Sequence, residues 1–526
     1  MRSGESPPLP APAVPHRGML TLSIMLANIM QGLDNTILNV SLPHIQGSMS
    51  TSQEQIAWAL TSYIVCAAVT MPLTGWLAGR FGIKPVFLIC IGVFTTASAL
   101  CGIATSLSQL VIFRAIQGMA GAGLIPLAQA TLLRINPPER HGTAMAIFGT
   151  GTVLGPMMGP VLGGWFTEYY SWRYVFYINL PIGILCSIGV MTFMRWTPNP
   201  RRDAFDFFGF FTLSIAIGAF QLMLDRGNRN DWFGSTETWV EAAIAGLALY
   251  LFIVHTVTTT GPSFFNRDLL KSSNFVAGTV MMFAVGLIMT GCLALLPTML
   301  QHLMHYPAFT TGLVTAPRGV GVMVAMFMVG RLINRIDNRW LILFGFLLTA
   351  VSMWQMSQFS LLMDPVPVVV SGLLQGFGLG CTFVPLNTLA LSDLPRNILT
   401  QATAIRSLMR NLGGSMGISL LVANLATSTQ TVHSRLVEHL RPDNPIIQVP
   451  FLPAPWGLGT LEGLARLNAE VTRQAAMVAY TINFQLMMGA ALAVLPLLLL
   501  IRNPGRQPAR PRIAPTTAAA PAGADD

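Results

Sequence analysis

The stretch Arg114-Ala-Ile-Gln117-Gly118-Met-Ala-Gly121-Ala-Gly123-Leu-Ile-Pro126-Leu127 returns, altered, as Gly372-Leu-Leu-Gln375-Gly376-Phe-Gly378-Leu-Gly380-Cys-Thr-Phe-Val-Pro385-Leu386. In both, a Gln-Gly pair leads into spaced glycines and a Pro-Leu step within an apolar run. The match is short, and its weight comes from position. The two stretches fall in the fourth helix of each of two six-helix sets, with two further helices between the sets. Parallel halves of this kind are a transporter architecture, with the substrate site at the midplane between them.

The composition around this repeat demands a membrane. Of 526 residues, 52% are hydrophobic and 10% charged, whereas a soluble domain averages about 25% charged residues. One span of a hydrocarbon core about 30 Å thick takes roughly 20 apolar residues. Runs of that length predict fourteen helices, near 18–42, 55–78, 83–104, 107–133, 142–166, 173–194, 205–224, 237–259, 273–299, 310–333, 340–360, 364–392, 398–426 and 479–501. The fold expected is an all-α polytopic membrane protein of two six-helix bundles plus two extra helices. Its parts are a tail at 1–17, an N-terminal bundle at 18–195, inserted helices at 196–262, a C-terminal bundle at 263–501 and a tail at 502–526. The 48 glycines and 35 prolines suit such a chain, because neighbouring helices re-satisfy the backbone groups they disturb. Residues 1–17 are too polar for a signal peptide.

Charge sets orientation and narrows function. Inner loops would hold Arg80, Lys84, Arg134, Arg140, Arg195, Arg201, Arg202, Arg267, Lys271, Arg331, Arg335, Arg339 and Arg396, against Arg173, Arg226 and Arg229 in short outer loops. The asymmetry puts both termini in the cytoplasm. Lys84 and Lys271 are the only lysines, and neither sits in a Gly-x-x-x-x-Gly-Lys-Ser/Thr loop, so this chain carries no P-loop. Any energy must come from an ion gradient or a separate ATPase. The six cysteines sit in apolar spans at unrelated spacings, as small buried hydrophobes rather than disulfides or metal ligands. His302 and His305 could chelate a metal, but with no third ligand they read as interfacial histidines.

Asp34 is the one acid deep in an apolar span, within Gln31-Gly-Leu-Asp34-Asn35-Thr36-Ile-Leu-Asn39. A carboxylate there costs about 2.5–3.5 kcal/mol on the insertion scale and marks a functional site by default. The competing reading is a structural carboxylate capped by nearby hydroxyls and amides. Four arginines, Arg114, Arg318, Arg406 and Arg410, also lie in spans. Asp34 stands about 12 Å, and Arg114 about 10 Å, from the outer ends of their predicted helices. The two can share a level, so Asp34 is expected to alternate between a proton and a polar or cationic partner, with Arg114 as the cation. Asn35, Asn39, Gln117, Gln375, Asn387 and Arg406 are candidates for the substrate cavity.

Two further segments concern motion. Gly151, Gly155, Gly159 and Gly163 recur every fourth residue, joined by Pro156, Pro160 and Gly164. Such a stripe admits a neighbouring backbone closely, either in a static packed helix or in one that rocks. Gly75-Trp-Leu-Ala-Gly79-Arg80-Phe-Gly82-Ile-Lys84 combines turn glycines with cations able to meet helix ends or carboxylates.

Together these strings resemble the major facilitator superfamily, and within it the fourteen-helix drug:proton antiporter-2 family with its EmrB/QacA-like exporters. Leu33–Val40 is similar to that family's helix-one motif, Gly75–Lys84 to the superfamily's loop motif, Arg114-x-x-Gln117-Gly118 to the proton-linked motif and Gly151–Gly164 to the antiporter motif. Trp172–Gly183 and Arg410–Ser415 resemble further strings of the branch. The resemblance covers about 18–501. It departs at Gly79, where the loop motif usually has an acid, so the gating salt bridge of that acid does not transfer. It implies proton-coupled export of amphiphilic toxic compounds by alternating access across a bacterial inner membrane, without cofactor or nucleic acid. One membrane Asp against four Arg favours neutral or anionic lipophiles, such as aromatic weak acids or fatty acids. The outer segment 427–478 holds a helical pattern at 460–471, either a surface helix or a dock for a periplasmic adaptor leading to an outer-membrane channel. An uncoupled facilitator, a membrane-embedded enzyme and a sensor are the other readings; the last two lack a polar constellation and a signalling domain.

Overall fold

The computed structural model describes residues 16–137, 140–195, 204–259, 264–333, 335–395, 398–440 and 460–501. The expectations for most of the tails at 1–17 and 502–526, and for Arg201, Arg202 and Arg396, lie outside the described residues. Among the described residues no strand occurs, and the chain folds as a bundle of helices.

The first six predicted spans become nine helices, broken where proline dictates. Helix α1 is Arg17–Met49, followed by α2 at Gln53–Thr70 and α3 at Leu73–Phe81, which meet at a bend of 54°. Then come α4 (Ile83–Ile103), α5 (Leu107–Gly121), α6 (Leu124–Ile135), α7 (His141–Tyr169), α8 (Tyr174–Tyr177) and α9 (Asn179–Phe193). Pro72 accounts for the first break, Pro126 for the one after α5 and Pro181 for the one after α8. Each lacks the N–H that the carbonyl four residues earlier needs, and its ring crowds that carbonyl. In α7, by contrast, Pro156 and Pro160 lie within an uninterrupted helix.

The inserted pair is α10 (Phe207–Arg226) and α11 (Thr236–Thr258). After the short α12 (Asp268–Lys271) follow α13 (Ser273–His302), α14 (Ala308–Thr315), α15 (Pro317–Leu332), α16 (Asn338–Met356), α17 (Pro365–Ser392), α18 (Leu399–Glu438) and α19 (Leu461–Ala493). Two boundaries correct the sequence reading. Helix α1 runs seven residues past the expected 42, so Asp34 lies farther from its C-terminal end than the depth arithmetic assumed. Within the segment 427–478, residues 427–438 continue α18 and 461–478 belong to α19, and the two helices touch where the His433 ring meets Asn468 Oδ1 at 3.0 Å.

Among the described residues, eleven helices are long and apolar enough to cross a membrane, or twelve with the bent α2–α3 pair. Helices α1 (33 residues) and α18 (40 residues) are also long enough but too polar by that measure. Their polar residues include Asp34 and Arg406, which are turned inward and buried.

The repeat reappears as a packing pattern. Helix α1 lies along α7 as α13 lies along α18; α2 along α5 as α15 along α17; α4 along α9 as α16 along α19. Its closest approaches need glycine. A Cβ on Gly118 would strike the Tyr63 carbonyl, and one on Gly376 the Arg318 carbonyl. On α7, a Cβ on Gly155 would fall 2.7 Å from the Ile29 carbonyl and one on Gly163 2.9 Å from that of Ile37, while Gly159 backs onto Thr36 and Gly151 onto Met25. Pro156 packs against Gly32. Gly164 stands apart from the stripe, with nothing within 4 Å of its would-be Cβ. On α18, Gly413 and Gly417 meet the carbonyls of Phe283 and Leu287 on α13 in the same manner.

The inserted pair is tied to the rest by Asp206. Its carboxylate accepts from the backbone N–H groups of Gly209 (2.8 Å) and Phe264 (3.0 Å) and lies 2.9 Å from His255 Nε2. Burial pushes this carboxyl up, but the two N–H groups and the His255 ring outweigh it, leaving it below its ordinary value.

Substitutions on the stripe should separate packing from bystander positions. Gly159→Val is expected to cost about 1–3 kcal/mol through overpacking, and Gly164→Ala less than about 0.5 kcal/mol, read as thermal unfolding in detergent. A carboxylate with a lowered folded-state value stabilises above its unfolded value and loses that contribution as pH falls through the folded one. Unfolding scans of the wild type and Asp206→Asn should therefore differ at neutral pH and draw together progressively as the pH falls below about 4.

Candidate functional site

Asp34 sits at mid-length of α1 with 1% of its surface exposed, and its carboxylate is fully engaged. Arg114 Nη1 donates to Oδ2 at 2.7 Å, while Gln117 Nε2 and Asn179 Nδ2 each donate to Oδ1 at 2.9 Å. The helix geometry explains the convergence. Arg114 and Gln117 are three residues apart on α5 and share a face, and Asn179 opens α9 opposite them. Their own contacts hold them in place. Arg114 Nη1 also donates to Gln117 Oε1 at 2.8 Å and Nε to the Ala59 carbonyl at 3.2 Å. The Tyr63 ring lies 4.2 Å from the guanidinium carbon, a cation–π contact strengthened by desolvation. Asn179 Nδ2 also donates to Ser98 Oγ at 2.9 Å.

The structure brings Asp34 and Arg114 together, although α1 extends farther than the depth arithmetic assumed. Gln117, expected in the substrate cavity, has its amide bound up with Asp34 and Arg114 and is fully buried. Asn179 and Tyr63 were not singled out. Asn179 lies in the Trp172–Gly183 string, where a lone amide in an apolar span is its signal; Tyr63 gives none, since a buried tyrosine in such a helix reads as core. The cage lies within the N-terminal helices, among α1, α2, α4, α5 and α9, and not on the seam between the two helix sets.

The other helix set holds a version of this cage without the acid. Cys292 Sγ on α13 donates to Gln375 Oε1 at 3.3 Å, the reverse of the Gln117 Nε2 bond to Asp34 Oδ1 in the first set. Gly372 replaces Arg114 in register, and Arg318 takes the place of Tyr63 against the Gln-Gly turn. Arg318 Nη2 donates to the Met289 carbonyl at 3.2 Å. One acid and one thiol at equivalent places make the two halves chemically unequal.

A second polar group lies on the seam. Gln129 Nε2 on α6 donates to Asn387 Oδ1 on α17 at 2.7 Å, and Thr403 Oγ1 on α18 to the Pro126 carbonyl at 3.2 Å. Arg406, 2% exposed, reaches the Asn387 and Leu386 carbonyls at 3.4 Å each, and its Nε has no hydrogen-bond partner among the described residues. Asn387 and Arg406 line a small cavity there with Gln129, Phe148 and Phe383. Gln375 is three turns further along α17 and is not among its lining. Asn35 and Asn39 are exposed on α1, pointing away from the Asp34 cage.

At the end of the bundle near the chain's termini, the seam is shut. A Cβ on Gly75 would lie 2.8 Å from Gln401 Cα, and Gly142 is pressed against Ile333. Gly82 takes φ 89°, a left-handed turn that glycine permits. Lys84 Nζ caps α9 through the Met191 carbonyl at 2.8 Å, whereas Arg80 is exposed. Gly79, where the resembling motif has an acid, has open space around it.

Comparison with known proteins places this geometry. The family model described as the Major Facilitator Superfamily matches residues 24–418. "Multidrug export protein EmrB" of Haemophilus influenzae is 35% identical over 491 residues, 92% of this chain and 94% of that protein. "Fatty acid resistance protein FarB" of Neisseria gonorrhoeae is 33% identical over 479 residues, 90% of this chain and 93% of that one. Among solved structures, the human organic anion transporter MFSD10 superposes with a TM-score of 0.63 at 13% identity, over 92% of this chain and all of that chain (100%).

Removing one member of a buried ion pair strands the other charge, at about 3–5 kcal/mol. Arg114→Ala is expected to lose stability on that scale by thermal unfolding in detergent. Arg114→Lys should recover part of it, since a lysine keeps the charge but not the fork that reaches Ala59 and Gln117 together.

Proposed function

The chain belongs to the major facilitator superfamily, and from that premise we propose that it is a proton-coupled exporter of amphiphilic toxic compounds working by alternating access. The observation that carries this reading is the buried cage around Asp34. A single membrane acid, bonded to three donors and sealed from bulk water, is a group whose protonation must rearrange its neighbours. When Asp34 takes a proton, the Arg114 ion pair is lost and the guanidinium must find other partners. Arg114 spans from α1 to the backbone of α2, so that change shifts α2, whose continuation across the bend, α3, meets the other half at Gly75. The names of the relatives that cover most of this chain support drugs and fatty acids as substrate classes.

The reading extends to architecture. We take fourteen spans, counting α1 and α18, with both termini in the cytoplasm of a bacterial inner membrane. The moving bodies are 18–195 and 263–501, and 196–262 is an insert between them. The conformation described is then closed toward the cytoplasm. The glycine stripes Gly151–Gly163 and Gly413–Gly417 pack α7 onto α1, and α18 onto α13, so that each body moves as a unit. The paired outer turns of α18 and α19 are a surface on which a periplasmic adaptor could dock, to pass substrate to an outer-membrane channel.

The test is substrate-induced proton movement in vesicles containing the purified full-length protein. Wild type is expected to exchange protons for substrate, and Asp34→Asn to lose the proton signal by at least about 100-fold, in keeping with an essential carrier group. Full proton-driven transport by Asp34→Asn would overturn the assignment. Substrate flux in the wild type without proton movement would favour the facilitator.

A further inference from the structure

The inserted helix pair does more than separate the two helix sets, and its two ends show how. Asp206 stands just before α10 and Phe264 just after α11, 58 residues apart in the chain, and the Asp206 carboxylate joins them by accepting the Phe264 N–H at 3.0 Å. The same carboxylate accepts from Gly209 at 2.8 Å, lies 2.9 Å from His255 Nε2 and is 7% exposed. A carboxylate engaged by several donors away from water is a fixed point and not a solvated side chain.

Each end of this knot grips a different helix set. Phe205 meets Trp76 of α3 edge-on, with ring centroids 4.6 Å apart at 65°, the geometry aromatic pairs prefer. The Phe264 carbonyl accepts from Gln401 Nε2 of α18 at 2.6 Å. Phe205 and Phe264 meet edge-on in turn, at 6.0 Å, and both pack on Phe210. The gripped residues sit at the closest backbone approach of the inner seam, where Gly75 backs onto Gln401. Gly79 and Arg80 on the same helix take no part: one has open space around it and the other is exposed. A path of contacts therefore runs from Trp76 through Phe205, Asp206 and Phe264 to Gln401, beside the point where α3 and α18 touch.

The rest of α10 spans the same gap. Toward α2, Asp225 accepts from Thr61 Oγ1, and the Arg226 guanidinium lies 5.3 Å from the centre of the Trp58 ring. Toward α18, Gln221 Nε2 donates to Ser415 Oγ at 2.9 Å and Ser419 Oγ to the Leu224 carbonyl at 2.5 Å. A passive spacer has no need of polar bonds to both bodies.

We propose that the inserted pair is an inner clamp, in which Asp206 fixes Phe205 to Phe264 and so positions Trp76 and Gln401 to hold α3 against α18. Asp206 and Gln401 are positioning residues for the opening step of transport. This rests on the reading above that the conformation is closed toward the cytoplasm, and it adds what keeps that end closed. On opening, the Gln401–Phe264 bond and the Trp76–Phe205 contact part, while the Asp206–Phe264 bond stays within the insert.

The experiment follows thiol alkylation by N-ethylmaleimide in the purified full-length protein in detergent, with neither substrate nor proton gradient. The only cysteines kept are Cys186, fully buried on α9, and a Thr403→Cys reporter, at a fully buried seam position whose native side chain bonds the Pro126 carbonyl. The reporter is expected to react slowly. Gln401→Leu and Asp206→Ala should each speed its alkylation about three- to tenfold, the effect of losing one hydrogen bond, with the Cys186 rate unchanged. The double variant should be no faster than the faster single, because both substitutions break one path. An unchanged reporter rate in Gln401→Leu would overturn the clamp, as would equal acceleration at position 403 and Cys186, which is general loosening, or multiplied effects in the double variant. Those outcomes leave the closed inner end and Asp34 coupling standing. Fast alkylation of the reporter without either substitution would instead overturn the closed inner end, and the clamp with it. Should Asp206→Ala not fold, Gln401→Leu alone decides.

Discussion

A carboxylate and a guanidinium face each other 2.7 Å apart inside a membrane helix bundle, each 1% exposed. Neither could be there alone, since a lone buried charge is among the most costly features a fold can carry. Their attraction is not a free gain, because both ions have left water. What the pair does is fix geometry. It commits α1, α5 and α9 to one arrangement, with Gln117, Asn179, Tyr63 and the Ala59 carbonyl saturating the remaining contacts. A network of this kind is high-stakes: complete, it rigidifies its surroundings, and changed by one proton it must be rebuilt.

Around that constraint the chain arranges its freedom of movement. Close backbone approach through glycine joins α7 to α1 and α18 to α13, while among the described residues the two helix sets touch through the Phe148–Phe383 stack, the Gln129–Asn387 and Thr403–Pro126 hydrogen bonds, and the contacts at Gly75 and Gly142. Within a set, backbones are pressed together where even a methyl group would clash. Between sets, the groups at the seam are fewer and include an incompletely bonded arginine. Two tight bodies with a looser seam are what a rocking mechanism needs. The repeat that produced both bodies also differentiated them. Where one kept Asp34, the other has Cys292, which confines the acid to one half.

Much of this was legible in the sequence. The membrane class followed from charge scarcity, the repeat from two Gln-Gly strings and the acid–base pair from depth along two helices. The segmented helices were less legible, although Pro72, Pro126 and Pro181 mark each break, because other prolines such as Pro156 and Pro297 sit inside continuous helices. Whether a proline breaks a span depends on the neighbours that re-satisfy its carbonyl, and those are tertiary. The role assigned to Gln117 shifted for the same reason. An amide next to a motif reads equally as cavity or cage until its partner is located. Gly164 looked like part of the stripe by spacing near its end, but one residue past Gly163 turns a helix by about 100°, onto an open face.

The sequence by itself determined the solvent this protein lives in, its division into related halves and the identity of its unusual charged residues, because hydropathy, repetition and rarity are properties of the linear order. Only the tertiary structure decided which polar groups meet. It put Asn179 on Asp34, set Cys292 in the acid's place and left Arg406 at the seam without an anion. Those outcomes depend on how helices distant in the chain are rotated and spaced, and a hydrogen bond reaching about 3 Å is settled by rotations that no single helix encodes.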